Sequence, residues 1–576
     1  MKNHSRLSTA TLGLALLAAV VSLALPPSLS ATTYTWTAPS GSWFDAGNWD
    51  ANGVPVTGTA HTILLTNGTS VTAATTTYAS PASNLVTGNL TVGAHNTLTL
   101  NTNSQLLRVQ GGNFTNAGII QNTSGNGEFQ LFNKTFTTVN TGTIQATTGV
   151  FFLNISEGTN SGDLNNTGGT LLAKNGATLR LLNSPLNTTE SKIIGGILKS
   201  EAGGTLRVTD DTSVAQVLRL SGVAVTNEGT FTASQSYGGG ATTGARTSNV
   251  FLNDATTFTN AANATVNLLN TGAGTATAAT QLNARLDMNN TSSFNNLGLL
   301  NITNNTTRSG TNLTSNALVF SINSATATFQ NQSTGTIQVI NDSTIAGASA
   351  LFTSVKSITN GGTVRIKGNT NNSGASFVVT GVGNSYTQSG TGVLTLLERG
   401  GILTAPSVAI NSGTLGGTGT VNGATTIGSG GTVDAGGTSN GVGTLTFANT
   451  LAIAGTAKFD LNGIAVGGTD YDTISTTSLS LTNATLTLNL GVDFLNVLTT
   501  AGGSAHLSLF TGSGLVASFT SVNVTGFNAS SVNATYNGDG TVSLRLTSSV
   551  PEPASWAAIA GVLTLGTVCL RRRRAA

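Results

Sequence analysis

The nine residues Ile358–Ile366, ITNGGTVRI, return along the chain as one recognisable phrase. An apolar residue precedes asparagine and glycine, and a short strand pattern follows in which apolar and polar residues alternate. Related copies begin at Phe114, Val139, Leu164, Val225, Phe258, Phe294 and Phe329, and a looser copy begins at Tyr386. The first steps are 25 residues and the later ones 33, 36, 35, 29 and 28. The gap between Leu164 and Val225 is 61 residues, and IIGGILKS at Ile193 is the expected missing copy.

This period predicts an all-β repeat architecture. Repeats of 20–50 residues are typical of solenoids, propellers and arrays. Each Asn-x-Gly turn suits a positive φ, and each following run alternates with the period of a strand. We therefore predict a right-handed parallel β-solenoid (β-helix) over residues 101–400, with Asn and Thr side chains stacked as ladders between coils. A set of separate β-sandwiches is the alternative.

The composition restricts the classes of function. Only 8% of the 576 residues are charged and the net charge is +2. Six of the 23 basic residues lie at the two ends, so the rest of the chain is slightly acidic and has no basic patch for nucleic acid. Cys569 is the single cysteine, and the four histidines have no ligand spacing. The sequence therefore predicts no disulfide, no metal site and no cofactor.

The N-terminal residues 1–30 have the pattern of a secretory signal peptide. Lys2 and Arg6 form a basic region, Leu12–Leu25 is apolar, and small residues surround Ser30 as a cleavage site. An uncleaved N-terminal anchor is the alternative.

The C-terminal residues 550–576 read VPEPASWAAIAGVLTLGTVCLRRRRAA. Ala554–Leu570 is uncharged and would span about 25 Å as a helix, which predicts a single transmembrane helix. The arginine cluster Arg571, Arg572, Arg573 and Arg574 should remain cytoplasmic, because positive charges mark the inner side of a membrane. This topology places the body outside the cytoplasm, in agreement with a signal peptide.

The motif Val550, Pro551, Glu552 and Pro553, followed by the apolar segment and the arginines, resembles a PEP-CTERM sorting tail. The resemblance implies recognition and processing by an exosortase-type membrane transpeptidase in a Gram-negative bacterium that makes exopolysaccharide. It implies transient anchoring in the inner membrane, then release to the cell surface or extracellular matrix. The two prolines keep the motif extended, a form that a processing enzyme can bind. A plain C-terminal anchor is the alternative.

Residues 401–549 form a second kind of repeat. The segments GTLGGTGTV (Gly413–Val421), GGTVDAGG (Gly430–Gly437) and DYDTI (Asp470–Ile474) resemble the autotransporter-associated β-strand repeat of passenger domains. The resemblance implies a β-helical fold. About a dozen amphipathic strands would be needed for a translocator barrel, and none are expected after this region, so self-export is not implied.

Residues 31–100 begin with a cluster of aromatic side chains, of which Tyr34, Trp36, Trp43 and Trp49 are the candidates for a role. One interpretation is a cap that covers the open end of the solenoid core. The other is a sugar-stacking surface, since these rings have flat apolar faces with polar edges.

Catalytic candidates are few. Asp210 and Asp211 lie near Arg207 and Arg219, and Asp470 and Asp472 are two residues apart, which on a strand would place both on one face. Both pairs are interpreted as turn or surface carboxylates. We therefore expect no enzyme, but an exported structural protein of the surface or matrix. A polysaccharide lyase or hydrolase on a β-helix, and a carbohydrate-binding or adhesin module, are the alternatives.

Overall fold

The computed structural model describes residues 31–50, 53–68, 74–79, 84–101, 106–132, 137–157, 163–183, 192–210, 216–235, 244–271, 280–307, 313–345, 347–369, 374–390, 392–437, 441–515, 518–547 and 562. The expected signal peptide (1–30), the sorting motif and the arginine cluster lie outside these residues. Within the described part of the chain, no helix is long and apolar enough to cross a membrane.

Almost all regular structure is β-strand. The strands up to the first repeat are β1 (Thr33–Thr35), β2 (Ser40–Ser42), β3 (Gly58–Leu65), β4 (Ala74–Ala79), β5 (Leu85–Val92), β6 (Asn96–Asn101) and β7 (Leu107–Gln110). The strands of the central body are β8 (Phe114–Asn116), β9 (Ile119–Asn122), β10 (Asn126–Phe132), β11 (Thr138–Asn140), β12 (Thr143–Ala146), β13 (Gly149–Glu157), β14 (Leu164–Asn165), β15 (Thr170–Ala173), β16 (Ala177–Asn183), β17 (Lys192–Ile194), β18 (Ile197–Ser200), β19 (Thr205–Asp210), β20 (Gln216–Ser221), β21 (Ala224–Asn227), β22 (Thr230–Gln235), β23 (Gly244–Asn253), β24 (Thr257–Asn260), β25 (Thr265–Asn270), β26 (Thr280–Met288), β27 (Ser293–Asn296), β28 (Leu299–Asn304), β29 (Leu313–Ile322), β30 (Thr328–Asn331), β31 (Thr336–Asn341), β32 (Ser349–Ser354), β33 (Ile358–Asn360), β34 (Thr363–Lys367), β35 (Ala375–Val379), β36 (Ser385–Gln388) and β37 (Leu394–Glu398). The C-terminal strands are β38 (Ile402–Gly417), β39 (Thr420–Ala435), β40 (Thr444–Ile453), β41 (Thr456–Leu461), β42 (Thr473–Leu481), β43 (Thr485–Leu490), β44 (Ser504–Ser508), β45 (Phe510–Gly512), β46 (Ser521–Gly526), β47 (Val532–Tyr536) and β48 (Thr541–Leu546). The helix α1 spans Phe494–Thr500, and two short 3-10 turns span Ala46–Asn48 and Ala529–Ser531.

Each strand of the body pairs in parallel with the third strand after it. β8 pairs with β11, β9 with β12 and β10 with β13, and the same step continues through the body. Three strands therefore make one coil, and equivalent strands of successive coils form three parallel columns. This confirms the prediction of an all-β chain with a long parallel sheet, as in a β-helix. The alternative of separate β-sandwiches is wrong for the described body, because sandwiches are built from antiparallel strands.

A single repeat would place every copy of the phrase in the same column. The copies instead occupy two columns. Leu164 lies opposite Ile193, which confirms that IIGGILKS is the next copy. Val225 instead lies opposite Leu198 and Phe258, one strand further along the coil. The 61-residue gap therefore marks a change of corner, and the same turn chemistry serves two different corners of the coil.

Buried asparagines connect the coils at these corners. In the first series, Asn116 donates from Nδ2 to Asn140 Oδ1 at 2.7 Å, and Asn140 donates to Asn166 at 2.6 Å. The second series begins at Ser200 and continues through Asn227, Asn260, Asn296, Asn331 and Asn360, with each amide 2.8 Å from the next. We call this second series the asparagine ladder. It satisfies polar groups inside the fold without using any charge.

Aromatic rings stack beside the ladder in the same coils. The ring centroids of Phe258 and Phe294 lie 4.6 Å apart with an interplanar angle of 11°. Those of Phe352 and Phe377 lie 4.1 Å apart with an interplanar angle of 7°. All four rings are almost fully buried. Equivalent inward positions of successive coils lie about 4.8 Å apart, which is close to the preferred spacing of stacked rings.

The coil becomes shorter after residue 400. β38 alone pairs with β35, β36 and β37, so one bent strand of 16 residues covers all three columns. β39 pairs along most of β38 in the same way. The described end of the β-helix carries a three-stranded antiparallel sheet formed by β44, β48 and β47.

Candidate functional site

The aromatic cluster lies at the N-terminal end of the described stack. Trp36 and Trp43 are fully buried, and Trp49 and Tyr34 are each 5% exposed. Trp36 and Trp49 pack edge to face at 5.1 Å, and Trp49 packs against Trp43 in the same manner at 4.8 Å. Trp49 Nε1 donates to the Trp43 carbonyl oxygen at 2.7 Å.

This burial bears on the two interpretations of the cluster. Tyr34 is in β1, Trp36 directly follows β1, and Trp43 directly follows β2. β1 and β2 pair only with β3 and β4 among the described strands, so the rings lie at the end of the stack. A sugar can stack only on an exposed ring face. The described arrangement matches what a cap requires, and it does not offer the exposed indoles that a binding surface needs.

A second group of polar side chains lies near the other end of the stack. Asp434 is near the end of β39, Lys458 and Asp460 lie on β41, and Asp472 precedes β42. Asp434 lies directly opposite Lys458 in register, and Asp460 is two residues further along the same strand. Three carboxylate oxygens, one from each aspartate, lie within 4.8 Å of one another, and all three residues are buried. We call these three aspartates with Lys458 the carboxylate cluster.

Backbone amides hold Asp472 in place. Its Oδ1 accepts from the Gly443 N–H at 2.8 Å, and its Oδ2 accepts from the Asp460 N–H at 2.7 Å. The residues between β41 and Asp472 form a loop. Within this loop, Asp470 Oδ2 accepts from the Val466 N–H at 2.8 Å. Asp472 therefore connects β41 to the segment at Gly443, whereas Asp470 closes its own loop.

Lys458 is the cation of the cluster. Its Nζ lies 3.0 Å from Asp434 Oδ2 and 3.4 Å from Asp460 Oδ1, and the lysine side chain is 26% exposed. Asn489 also donates to Asp460 Oδ1, at 2.7 Å. The second oxygens, Asp434 Oδ1 and Asp460 Oδ2, are buried and have no hydrogen-bond partner among the described residues.

The electrostatics of the cluster follow from its burial. Loss of hydration raises the pKa of Asp434 to about 6, although the charge of Lys458 opposes this rise. The pKa of Asp472 rises to about 8 through burial, and the two backbone hydrogen bonds lower it only in part. Burial alone would lower the pKa of Lys458, but the carboxylates at Asp434 and Asp460 raise it overall. One ammonium therefore does not fully compensate three buried carboxylates.

The sequence-based view of these residues was wrong in part. Asp470 and Asp472 are not on a strand, since β42 begins at Thr473, and their carboxylates serve different places. Asp472 is buried rather than a surface carboxylate. Asp434 and Asp460 were missed altogether, because 26 and 12 residues separate the members of the cluster along the chain. The other candidate pair reaches the described residues only at Asp210, at the end of β19, and Asp211 lies outside them.

A small groove adjoins the cluster. It has a volume of about 250 Å³, and Glu398, Arg399, Gly436 and Gly441 are among its lining residues. Cavities of roughly 300–1,000 Å³ are usual for sites that enclose small organic ligands. The groove is therefore better suited to an ion with water than to a sugar chain.

No protein family profile, curated protein or solved structure matches this chain. Three buried carboxylates and a lysine can share protons, form ion pairs or bind a cation. The buried position of all three aspartates gives a large substrate no direct access to them.

Proposed function

We propose that this protein is an exported structural component of the bacterial surface or extracellular matrix. In this proposal a signal peptide (1–30) directs export, and a single C-terminal transmembrane helix anchors the chain for a time. An exosortase-type transpeptidase then processes the tail at the motif Val550–Pro553. The body acts as a spacer or scaffold that associates with exopolysaccharide.

The continuous parallel stack is the observation that supports a structural role. One column runs from β2 to β42 through seventeen strands, each paired in parallel with the next. At about 4.8 Å for each step, sixteen steps extend over roughly 77 Å. A rod of this length, connected internally by hydrogen bonds and stacked rings, is suited to bearing a load or setting a distance.

The enzyme alternative requires a carboxylate cluster with a basic partner on one face of the β-helix. The carboxylate cluster has that composition, but Asp460 and Asp472 are fully buried and Asp434 is 4% exposed. Glycoside chemistry needs two carboxyl groups that reach opposite sides of a bound sugar. The burial therefore favours a structural role for these residues.

The first experiment tests processing in the native producer. Membrane and extracellular fractions are compared for the wild type and for a triple variant, Pro551→Ala with Glu552→Ala and Pro553→Ala. We expect a wild-type C-terminus near Val550 outside the inner membrane, as read by mass spectrometry, and an uncleaved, membrane-bound variant. The body variant Pro406→Ala is the control and should be processed normally. Retention of Arg571–Arg574 by the wild-type protein in the inner membrane would refute the sorting proposal.

A second experiment tests the body. The purified chain is incubated with the exopolysaccharide of its producer, and new reducing or unsaturated chain ends are measured. We expect co-sedimentation without any new chain ends. New ends that are lost in the Asp472→Asn variant would favour the enzyme alternative.

A further inference from the structure

We propose that Asp434, Asp460 and Asp472 bind one divalent cation, with calcium as the best match, in the C-terminal part of the β-helix. The inference uses only the geometry of the carboxylate cluster and is independent of the proposed function. The sequence predicted no metal site, because no ligand motif links these three positions.

The first support is convergence. Oxygens of three different segments, β39, β41 and the loop before β42, lie within 4.8 Å of one another. Calcium–oxygen distances are about 2.3–2.6 Å, so oxygens on opposite sides of one calcium ion are about 4.8 Å apart. The spacing of the three oxygens is therefore compatible with a shared ion.

The second support is the state of the remaining oxygens. Asp434 Oδ1 and Asp460 Oδ2 are buried without a hydrogen-bond partner among the described residues, and Asp460 is 0% exposed. Buried carboxylate oxygens are normally satisfied by donors or by a metal. Lys458 already occupies the other oxygen of each residue, so these two oxygens are available to another cation.

The third support is space reserved by a glycine. Gly436 has φ +77°, and a Cβ there would lie 2.3 Å from Asp472 Oδ1 and 1.9 Å from the Gly441 carbonyl oxygen. Only a residue without a side chain allows these two oxygens to approach the same point. A backbone carbonyl beside carboxylates is a common combination of calcium ligands.

The charge and the chemistry of the ligands select the ion. Three carboxylates and one ammonium give −3 + 1 = −2 when all are ionised, which a divalent cation neutralises. The donors are oxygens, with no histidine or cysteine in the cluster, and this favours calcium or magnesium over zinc or copper. The convergence of three carboxylates favours calcium, because calcium accepts six to eight oxygen ligands in flexible geometry, whereas magnesium usually takes one or two carboxylates and keeps several waters.

The test uses the full chain after treatment with chelator. Calcium is added up to about 10 mM, since extracellular calcium modules typically bind at about 10⁻⁴–10⁻³ M. Bound calcium is measured by equilibrium dialysis and thermal unfolding by circular dichroism, with magnesium in a parallel series. We expect calcium to raise the midpoint of unfolding more than magnesium does at the same concentration.

The Asp460→Asn variant should bind one calcium ion fewer per chain, or bind it at least about tenfold more weakly. Asp287→Asn is the matched control, because Asp287 is 2% exposed and is paired with Arg285 at 2.6 Å outside the cluster. That control should retain the calcium response of the wild type. If Asp460→Asn loses its β-sheet spectrum, Asp472→Asn and Asp434→Asn replace it. Equal calcium binding by the wild type and by a folded cluster variant would overturn the proposal, as would a wild type that binds no calcium.

Discussion

The asparagine ladder and the carboxylate cluster are two buried polar groups of one β-helix, and they are stabilised in opposite ways. Asn296 accepts from Asn260 and donates to Asn331, both at 2.8 Å, so each amide supplies what its neighbour needs. The carboxylates have only acceptor oxygens, and they depend on Lys458 and on backbone amides for compensation. An amide can therefore repeat along a stack without limit, whereas a carboxylate needs a cation or a separate hydrogen-bond donor at every position.

The largest expected effect comes from placing a charge in the ladder. In Asn296→Asp the side chain loses its donations to Asn331 Oδ1 and to the Thr336 carbonyl oxygen. A buried, uncompensated carboxylate should lower the free energy of unfolding by about 3–5 kcal/mol near neutral pH. Thermal or denaturant unfolding measures the change.

The free energy of unfolding of Asn296→Asp should also depend on pH. The direction of this dependence distinguishes an effect of the buried charge from an effect of altered packing. Burial should raise the pKa of the introduced carboxyl group in the folded state above its unfolded value of about 3.9, so stability is lost as the pH rises through that interval. Asn301→Asp is the control, since Asn301 is on the outer face of the same coil and only partly buried. Equal, pH-independent losses in both variants would contradict the explanation.

Removal of the cation from the carboxylate cluster should have the next largest effect. Lys458→Met leaves three buried carboxylates without an ammonium, and in chelator this should cost about 2–3 kcal/mol, reduced because the lysine is partly exposed. Calcium should then stabilise the variant more than it stabilises the wild type, because two further oxygens become available. The measurement is the shift of the unfolding midpoint with and without calcium, and a smaller shift in the variant would count against the cluster as a cation site.

A methyl group at Gly436 should have a smaller effect. Gly436→Ala adds a steric conflict with Asp472 to the strain of a positive φ, whereas Gly383 has φ +84° and no atom within 4 Å of the point where a Cβ would lie. We expect Gly436→Ala to lose about 2 kcal/mol more than Gly383→Ala in denaturant unfolding. Similar losses in both variants would show that the space beside Asp472 is not tightly restricted.

The smallest expected effect is at an exposed ion pair of the outer face. Lys199 Nζ lies 2.8 Å from Glu228 Oε1, with side chains 33% and 40% exposed. Lys199→Met should change the free energy of unfolding by less than about 1 kcal/mol, because water and salt screen such a pair. A loss equal to that of Lys458→Met would mean that burial does not distinguish the two lysines.

Much of the fold could be predicted from particular residues. Asn227, Asn260 and Asn296 recur at the same point of a phrase, and the spacing of 33 and 36 residues anticipates one coil for each copy. The column change between Ile193 and Val225 could not be predicted, because both corners use the same turn chemistry. The sequence pattern predicts that a corner is present, but it does not show which of the corners of the coil it is.

The candidate site was much harder to predict. Tyr34 and the tryptophans formed a visible cluster, and only their burial distinguishes a cap from an exposed surface. No common motif links Asp434, Asp460 and Asp472. Their carboxylates come close together because of the register of β39 with β41 and the path of the loop that leads into β42. Parallel coils bring together residues that are distant in sequence, so a site across coils has no local signature.

The sequence by itself determined the periodic strand pattern, the low charge and the polar corners of this protein. These are local properties, since each turn and each alternating run is specified by a few neighbouring residues. Only the tertiary structure decided which corners align, which aromatic rings are buried, and that three distant carboxylates share one buried position. The physical reason is register: a shift of one residue between coils reverses the face of every side chain, and packing across the whole stack selects the pairing.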